Sequence, residues 1–176
     1  IADFVQAFVT GYIAEDDEEL EGETDDSARA FKYAWLRNRE GQPQKDGETL
    51  SIDLKNGFVL YESKYEEQLL RVEMCYWNEA DKKHKLLAYN VGCYTDGKNS
   101  PGQFDGLEFF RYDNATKEMA WCEMPGVDEA RETQEGAWSS FTLPRSGKDI
   151  TVAWSWYDSD KTKTGILKWN GHGFNL

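Results

Sequence analysis

The sequence predicts a mainly β protein of the α+β class. We expect an antiparallel hairpin meander that forms an open barrel or curled sheet, with one or two N-terminal helices packed on it. Apolar and polar residues alternate with a period of two from residue 49 onwards, as is typical of strands. Turn-forming residues separate these runs at short intervals, and only the N-terminal part has helical periodicity. A β-sandwich is the alternative architecture.

The 176 residues are predicted to form a single domain, 1–176, because this length is enough for one substantial hydrophobic core. Residues 1–14 are predicted to be a helix, since apolar side chains recur there three and four positions apart. These side chains are Ile1, Phe4, Val5, Phe8, Val9 and Tyr12. Residues 15–26 contain nine acids and no base, which predicts a solvated acidic loop.

Residues 27–48 are predicted to be a helix or a strand, followed by a turn-rich connection. Ser27 is a suitable N-cap, and the alanines that follow it favour a helix. The alternation of Phe31, Tyr33 and Trp35 with other residues is instead typical of a strand. We favour the helix, which the glycines and the proline between positions 40 and 47 would end.

Residues 49–176 are predicted to be the antiparallel β body. Asn56-Gly57 lies between two alternating runs and predicts the first hairpin. Residues 124–136 are expected to be irregular. Further strands are predicted over residues 69–77, 86–94, 107–112, 118–122 and 138–143.

The final hairpin, over residues 149–174, has the clearest strand pattern. Ile150, Val152, Trp154 and Trp156 fall on one face of an extended segment. Burial of large apolar side chains is the main source of stability available to such a strand. We therefore expect both tryptophans to point into the core.

The formal net charge of −13 is mostly local. Removing the nine acids of residues 15–26 from the total of 33 leaves 24 acids against 20 bases. This composition lacks the basic surface that nucleic-acid binding requires, so we expect no nucleic-acid partner. The chain also has no apolar run long enough to predict a membrane-spanning segment.

No catalytic residue, metal or cofactor is predicted, and we lean against an enzyme. Cys75, Cys93 and Cys122 form no C-x-x-C pair and lie in strand-like runs, where cysteine is usually a small buried hydrophobe. His84 is close in sequence to two of these thiols, but its Lys-rich turn predicts solvent exposure. Nucleotide-binding and serine-hydrolase motifs are lacking.

Two parts of the chain are candidate ligand-binding sites. Aromatic rings on a β surface can stack on sugars or other planar ligands, and Tyr157 and Trp169 are the outward-facing candidates. The connection between residues 95 and 106 is long for a hairpin loop, and such loops are often functional. Its candidate ligand-binding residues are Asp96, Asn99, Gln103 and Asp105.

We expect a non-enzymatic ligand-binding or interaction domain of a bacterial envelope protein, secreted, periplasmic or lipoprotein-like. Its partner would be a glycan, another small ligand or a protein. The chain does not begin with Met, which suggests that an upstream segment such as a signal peptide was removed. The ending from Lys168 to Phe174 resembles the Trp-Asn/Asp-Gly-x-x-Phe endings of bacterial extracytoplasmic β-proteins.

Two alternative functions stay open. The first is a hydrolase that acts on glycans through carboxylates near strand ends. These carboxylates would belong to Asp105, Glu108, Asp158 and Asp160. The second alternative is a structural or assembly module that pairs with another chain through an edge strand.

Overall fold

The computed structural model describes residues 1–11, 26–100, 106–156 and 159–176. Its helices are α1 (Ala2–Gly11), α2 (Asp26–Arg39) and α3 (Pro125–Glu132). The first strands are β1 (Glu48–Asp53), β2 (Phe58–Tyr65), β3 (Gln68–Asn78), β4 (His84–Thr95), β5 (Lys98–Asn99), β6 (Gly106–Asp113) and β7 (Met119–Trp121). The remaining strands are β8 (Trp138–Thr142), β9 (Ile150–Trp156), β10 (Ser159–Trp169) and β11 (Phe174–Asn175).

In these ranges the strands form two antiparallel sheets. The large sheet has the order β1-β2-β3-β4-β6-β7, with β5 beside β4, and the small sheet has the order β11-β10-β9-β8. Consecutive strands are neighbours in most of this order, as expected of a hairpin meander. The predicted fold class, mainly β with N-terminal helices, is confirmed, and the large sheet is not closed into a barrel.

One face of the large sheet is covered by α1 and α2. Both predicted helices are confirmed; residues 12–14, where the first was predicted to end, and the acidic loop up to residue 25 lie outside the described residues. Trp35 Nε1 donates to Gln6 Oε1 at 3.0 Å and joins the two helices. None of the described helices has the length and hydropathy needed to cross a bilayer. The buried apolar side chains of α1 and α2 are Phe4, Val5, Phe8, Val9, Phe31, Ala34 and Trp35.

The opposite face of the large sheet packs against the small sheet and α3. Trp77 and Phe109 from the large sheet share this second core with Val152 and Trp154 from β9. The predicted inward face of β9 is confirmed, because Ile150, Val152 and Trp154 are all buried. Trp156 is only half-buried at the edge of this core.

A buried polar group connects the two sheets. Asn90 Nδ2 donates to Glu73 Oε2 at 3.1 Å and to the Phe141 carbonyl at 2.9 Å. The Leu143 amide donates to the same Glu73 oxygen at 3.0 Å. Burial raises the pKa of the Glu73 carboxyl. These contacts hold the end of β8 against the large sheet.

The turn between β1 and β2 confirms the hairpin predicted at Asn56-Gly57. Asp53 pairs with Phe58, and Asp53 accepts from both the amide and the side chain of Asn56. Gly57 has a φ of +67°, which favours glycine. A Cβ there would also lie 2.5 Å from the Tyr76 ring, so the turn has no room for a side chain.

Helix α3 corrects the prediction that residues 124–136 are irregular. Pro125 occupies the first turn, where its fixed φ suits a helix and its missing N–H costs nothing. Val127 and Ala130 are buried against the second core. Trp154 Nε1 donates to the Ala130 carbonyl at 2.7 Å, which ties α3 to the small sheet.

Candidate functional site

A cleft of about 210 Å³ lies between β6 and α3. It forms because β7 is only three residues long and pairs with residues 110–112 of β6. The edge of β6 from residue 106 to 109 is therefore bordered by the chain that leads into α3 and by α3 itself. The lining residues used below are Leu107, Glu108, Phe109, Trp121, Cys122, Glu123, Met124, Val127, Asp128 and Arg131.

The backbone edge of β6 is closed by two contacts at the cleft. The Cys122 amide donates to the Phe109 carbonyl at 2.9 Å, directly beyond the end of β7. One nitrogen of the Arg131 guanidinium donates to the Leu107 carbonyl. The guanidinium thus supplies a donor where a neighbouring strand would otherwise supply one, and it positions α3 beside the sheet edge.

The floor of the cleft is apolar. Leu107, Phe109, Met124 and Val127 line it and are buried members of the second core. Trp121 also lines the cleft but is 53% exposed, which is unusual for so large an apolar side chain. An apolar concave surface with an accessible aromatic ring is typical of small-molecule sites.

The charged groups of the cleft are mostly acidic. Glu123 and Asp128 are exposed, and Glu108 lies on β6. Arg131 Nη1 donates to Asp128 Oδ1 at 2.6 Å, and its guanidinium lies 5.6 Å from the centre of the Phe141 ring. The positive charge of Arg131 is therefore matched by a carboxylate of its own helix.

Cys122 lines the cleft and is half-buried. Burial raises the pKa of its thiol, with a smaller opposing effect from Arg111. Cys75 is buried more deeply, and burial raises the pKa of its thiol well above the usual range. Both sulfurs are therefore protonated near neutral pH and are weak nucleophiles.

Asp96 and Asn99, the two described residues among those predicted from the 95–106 connection, do not line this cleft. Asn99 lies on β5, and its Oδ1 accepts from Trp138 Nε1 at 3.2 Å. Asp96 is exposed at the β4–β5 turn with a φ of +53°. Gln103 and Asp105, like Tyr157 from the final hairpin, lie outside the described residues.

Trp169, the other predicted aromatic, lies at the end of β10. Its ring centre is 5.8 Å from that of Trp77 and 5.1 Å from that of Phe174. Its side chain is half-buried and packs on the second core. Trp169 therefore contributes to the stability of the fold where the small sheet meets β3.

The structure describes two of the four residues of the hydrolase alternative, Glu108 and Asp160. Glu108 is the third residue of β6. Asp160 is fully exposed on β10 and lies 3.5 Å from Lys98 Nζ. Asp105 and Asp158 lie outside the described residues.

A second group of titratable side chains lies where the β3–β4 turn meets the β6–β7 turn. His84 Nδ1 is 2.5 Å from Asp81 Oδ2, and His84 Nε2 is 3.4 Å from Asp113 Oδ2. The hydrogen bond between the His84 and Asp81 side chains raises the pKa of His84 and lowers the pKa of Asp81 to about 2. Two flanking carboxylates favour the imidazolium form, which joins the two turns.

Glu79, Asp81 and His84 could also hold a metal ion, since one ligand atom from each lies within 4.8 Å of the others. Glu79 accepts from Arg111 Nε at 2.8 Å, and Asp81 is bonded to His84. Each of these carboxylates therefore already has a cationic partner or an imidazole. Sequence analysis missed the group, because its spacing fits none of the usual zinc or calcium motifs.

Trp121 and the cleft around it were also missed by sequence analysis. The available signal was the position of Trp121 at the end of a short strand, four residues before Pro125. A proline there ends strand pairing and starts a helix, so the preceding aromatic lies at a boundary.

Comparison with known proteins finds no matching family model, curated protein or solved structure.

Proposed function

We propose that this domain binds a compact small molecule in the cleft between β6 and α3 and performs no chemistry on it. The observation that carries the proposal is the half-exposed Trp121 beside a buried apolar floor. On such a surface a ligand can stack on the aromatic ring and bury its apolar part against the floor of the cleft. A binding role agrees with the raised pKa of Cys122, which disfavours the thiolate that covalent catalysis would need.

The size of the cleft limits the ligand. Its volume of about 210 Å³ is below the roughly 300–1,000 Å³ typical of pockets for drug-sized ligands. A single ring or a short branched chain fits this volume, whereas an oligosaccharide would extend far beyond it. If the ligand is the glycan expected from the sequence, the cleft has room for a single sugar ring. Such a ring is one of several compact candidate ligands.

Fluorine NMR on protein labelled with 5-fluorotryptophan tests the proposal. The chain has seven tryptophans, and the Trp121 resonance is assigned by its loss in Trp121→Phe. A library of compact sugars, amines and acids should contain compounds that shift this resonance. The resonance of Trp35, which is buried under the helical face, should not move.

An affinity measurement supplies the control. Trp121→Ala should abolish binding of any compound found, whereas Tyr65→Ala should leave it unchanged. Tyr65 is a suitable control because it is 73% exposed at the end of β2 and does not line the cleft. If no compound shifts the Trp121 resonance, the proposal is rejected.

Location in the periplasm or cell envelope is a separate prediction, which fractionation of the source cell would test.

A further inference from the structure

We infer that the ligand of the cleft is a compact organic cation, such as a small quaternary or alkyl ammonium ion. This inference rests on the proposed binding function and adds the chemical class of the ligand. Three features support this inference. Carboxylates outnumber basic groups among the described lining residues of the cleft, Arg131 is already bound to groups of the protein, and the indole of Trp121 is exposed.

The charges that line the cleft favour a positive ligand. Among the described lining residues, the acids are Glu108, Glu123 and Asp128 and the base is Arg131, so three negative charges against one positive charge leave a local balance of −2. Outside residues 15–26 the chain has 24 acids against 20 bases, which adds a weak long-range attraction for cations. An anionic ligand would enter against both fields.

Arg131 is not available to bind an anion. Its Nη1 donates to Asp128 at 2.6 Å, its Nη2 donates to the Leu107 carbonyl, and its plane lies over Phe141. Rotating it towards a carboxylate ligand would break all three contacts. Glu123, in contrast, is exposed at the rim and can approach a cation without breaking a contact seen in the structure.

Trp121 distinguishes a cation from a neutral ligand of the same shape. The indole is the aromatic ring that attracts cations most strongly, and Trp121 is 53% exposed to solvent. A cation–π contact strengthens binding roughly two- to thirtyfold, with the larger effect where water is excluded. A neutral sugar can stack on the same ring but gains nothing from the carboxylates.

A matched pair of probes tests this assignment. Choline and 3,3-dimethylbutan-1-ol have nearly the same shape, but only choline carries a charge. Titration of each against the labelled protein should give a dissociation constant at least about fivefold lower for choline. High salt should weaken choline binding and leave the alcohol unaffected.

Three variants locate the effect. Trp121→Leu should remove most of the preference for choline, and Glu123→Gln should reduce it. Glu118→Gln should not change it, because Glu118 is an exposed acid in the β6–β7 turn and does not line the cleft.

The outcomes separate the two proposals. Equal affinity for the two probes, or a shift of the Trp121 resonance only with sugars or acids, overturns the cation assignment and leaves the binding function in place. If neither the probes nor the library shift that resonance, the binding function falls and the assignment falls with it. A preference for choline that survives in Trp121→Leu and Glu123→Gln places the cation elsewhere and also overturns the assignment.

Discussion

Replacing Trp154 by phenylalanine is expected to be among the more damaging conservative changes in the second core. Trp154 is 2% exposed, and its Nε1 donates to the Ala130 carbonyl at 2.7 Å. Its outer ring lies over Gly165 on β10, where an added Cβ would be 2.7 Å from the Trp154 ring. The substitution therefore removes a hydrogen bond to α3 and leaves a space above a glycine.

The cost follows from these two losses. The Ala130 carbonyl then keeps only the long hydrogen bond from the Thr133 amide, at 3.4 Å, and leaving a buried carbonyl so poorly paired costs about 1–3 kcal/mol. The space left by the missing ring adds roughly 1 kcal/mol at about 24 cal/mol per Å³ of residual cavity. We therefore expect Trp154→Phe to lower the free energy of unfolding by about 2–4 kcal/mol, which is a large share of the roughly 5–15 kcal/mol available to a domain. For a chain of this length the midpoint should fall by about 4–16 °C.

Urea unfolding followed by far-UV circular dichroism measures the change without depending on tryptophan fluorescence. Trp156→Phe is the control, because its Nε1 donates to the Glu135 carbonyl at an exposed site and the expected loss is below about 1 kcal/mol. Gly165→Ala should destabilise the wild-type protein through its clash with Trp154, but much less in the Trp154→Phe background. Additive effects in this cycle, within about 0.5 kcal/mol, would refute the proposed packing.

Three further changes test separate parts of the structure. Glu73→Gln should stabilise the protein near neutral pH: burial raises the folded-state pKa of Glu73, so its contribution to stability is largest below the unfolded pKa and falls as pH rises through the folded pKa. An advantage in urea midpoint that persists unchanged at acidic pH would contradict this. His84→Gln should lower the thermal midpoint more near pH 5.5 than near pH 9, because the folded pKa is raised above its usual value of about 6.5 and the paired imidazolium is lost as pH rises through it. Equal losses at both pH values would show that charge is not involved. Gly126→Ala should cost at least about 3 kcal/mol in urea unfolding, since its Cβ would lie 1.7 Å from the Phe174 carbonyl oxygen; a loss below about 1 kcal/mol would show that α3 and β11 are not so closely packed.

The parts of the fold that the sequence predicts well have long periodic patterns. The apolar stripe extends along the 10 residues of α1, and the alternation extends along the 7 residues of β9. Both patterns match the observed buried faces. In α2 the alternation of aromatic residues competed with helix propensity. Phe31, Ala34 and Trp35 are buried together, at the spacing of one helical face.

Helix α3 was harder to predict because it is short and buries little. Its eight residues include only two buried side chains, Val127 and Ala130. Two positions do not establish a period, and the surrounding acids and glycine are typical of a loop. The position of Pro125 was the usable signal, since proline favours the first turn of a helix.

The cleft could not be predicted from any local pattern. Its existence depends on where β7 stops pairing and on how far α3 lies from the edge of β6, and both are set by contacts distant in sequence. Arg131 reaches Leu107 across 24 positions, and Trp154 reaches Ala130 across the same number. The exposure of Trp121 follows from this geometry. Residue type alone would have predicted that this tryptophan lies in the core.

These contacts also indicate which side of the cleft can adapt to a ligand. Helix α3 is fixed at three points: by Gly126 against Phe174, by the Trp154 hydrogen bond and by Arg131 on β6. The opposite side ends in Trp121, which is the last residue of a three-residue edge strand and is half-exposed. Because the cost of ordering falls on the side with fewer fixed contacts, a ligand should restrict Trp121 while leaving α3 where it is. Protection of α3 amides from hydrogen exchange should therefore change little on binding, and a large change there would mean that the cleft is assembled by its ligand.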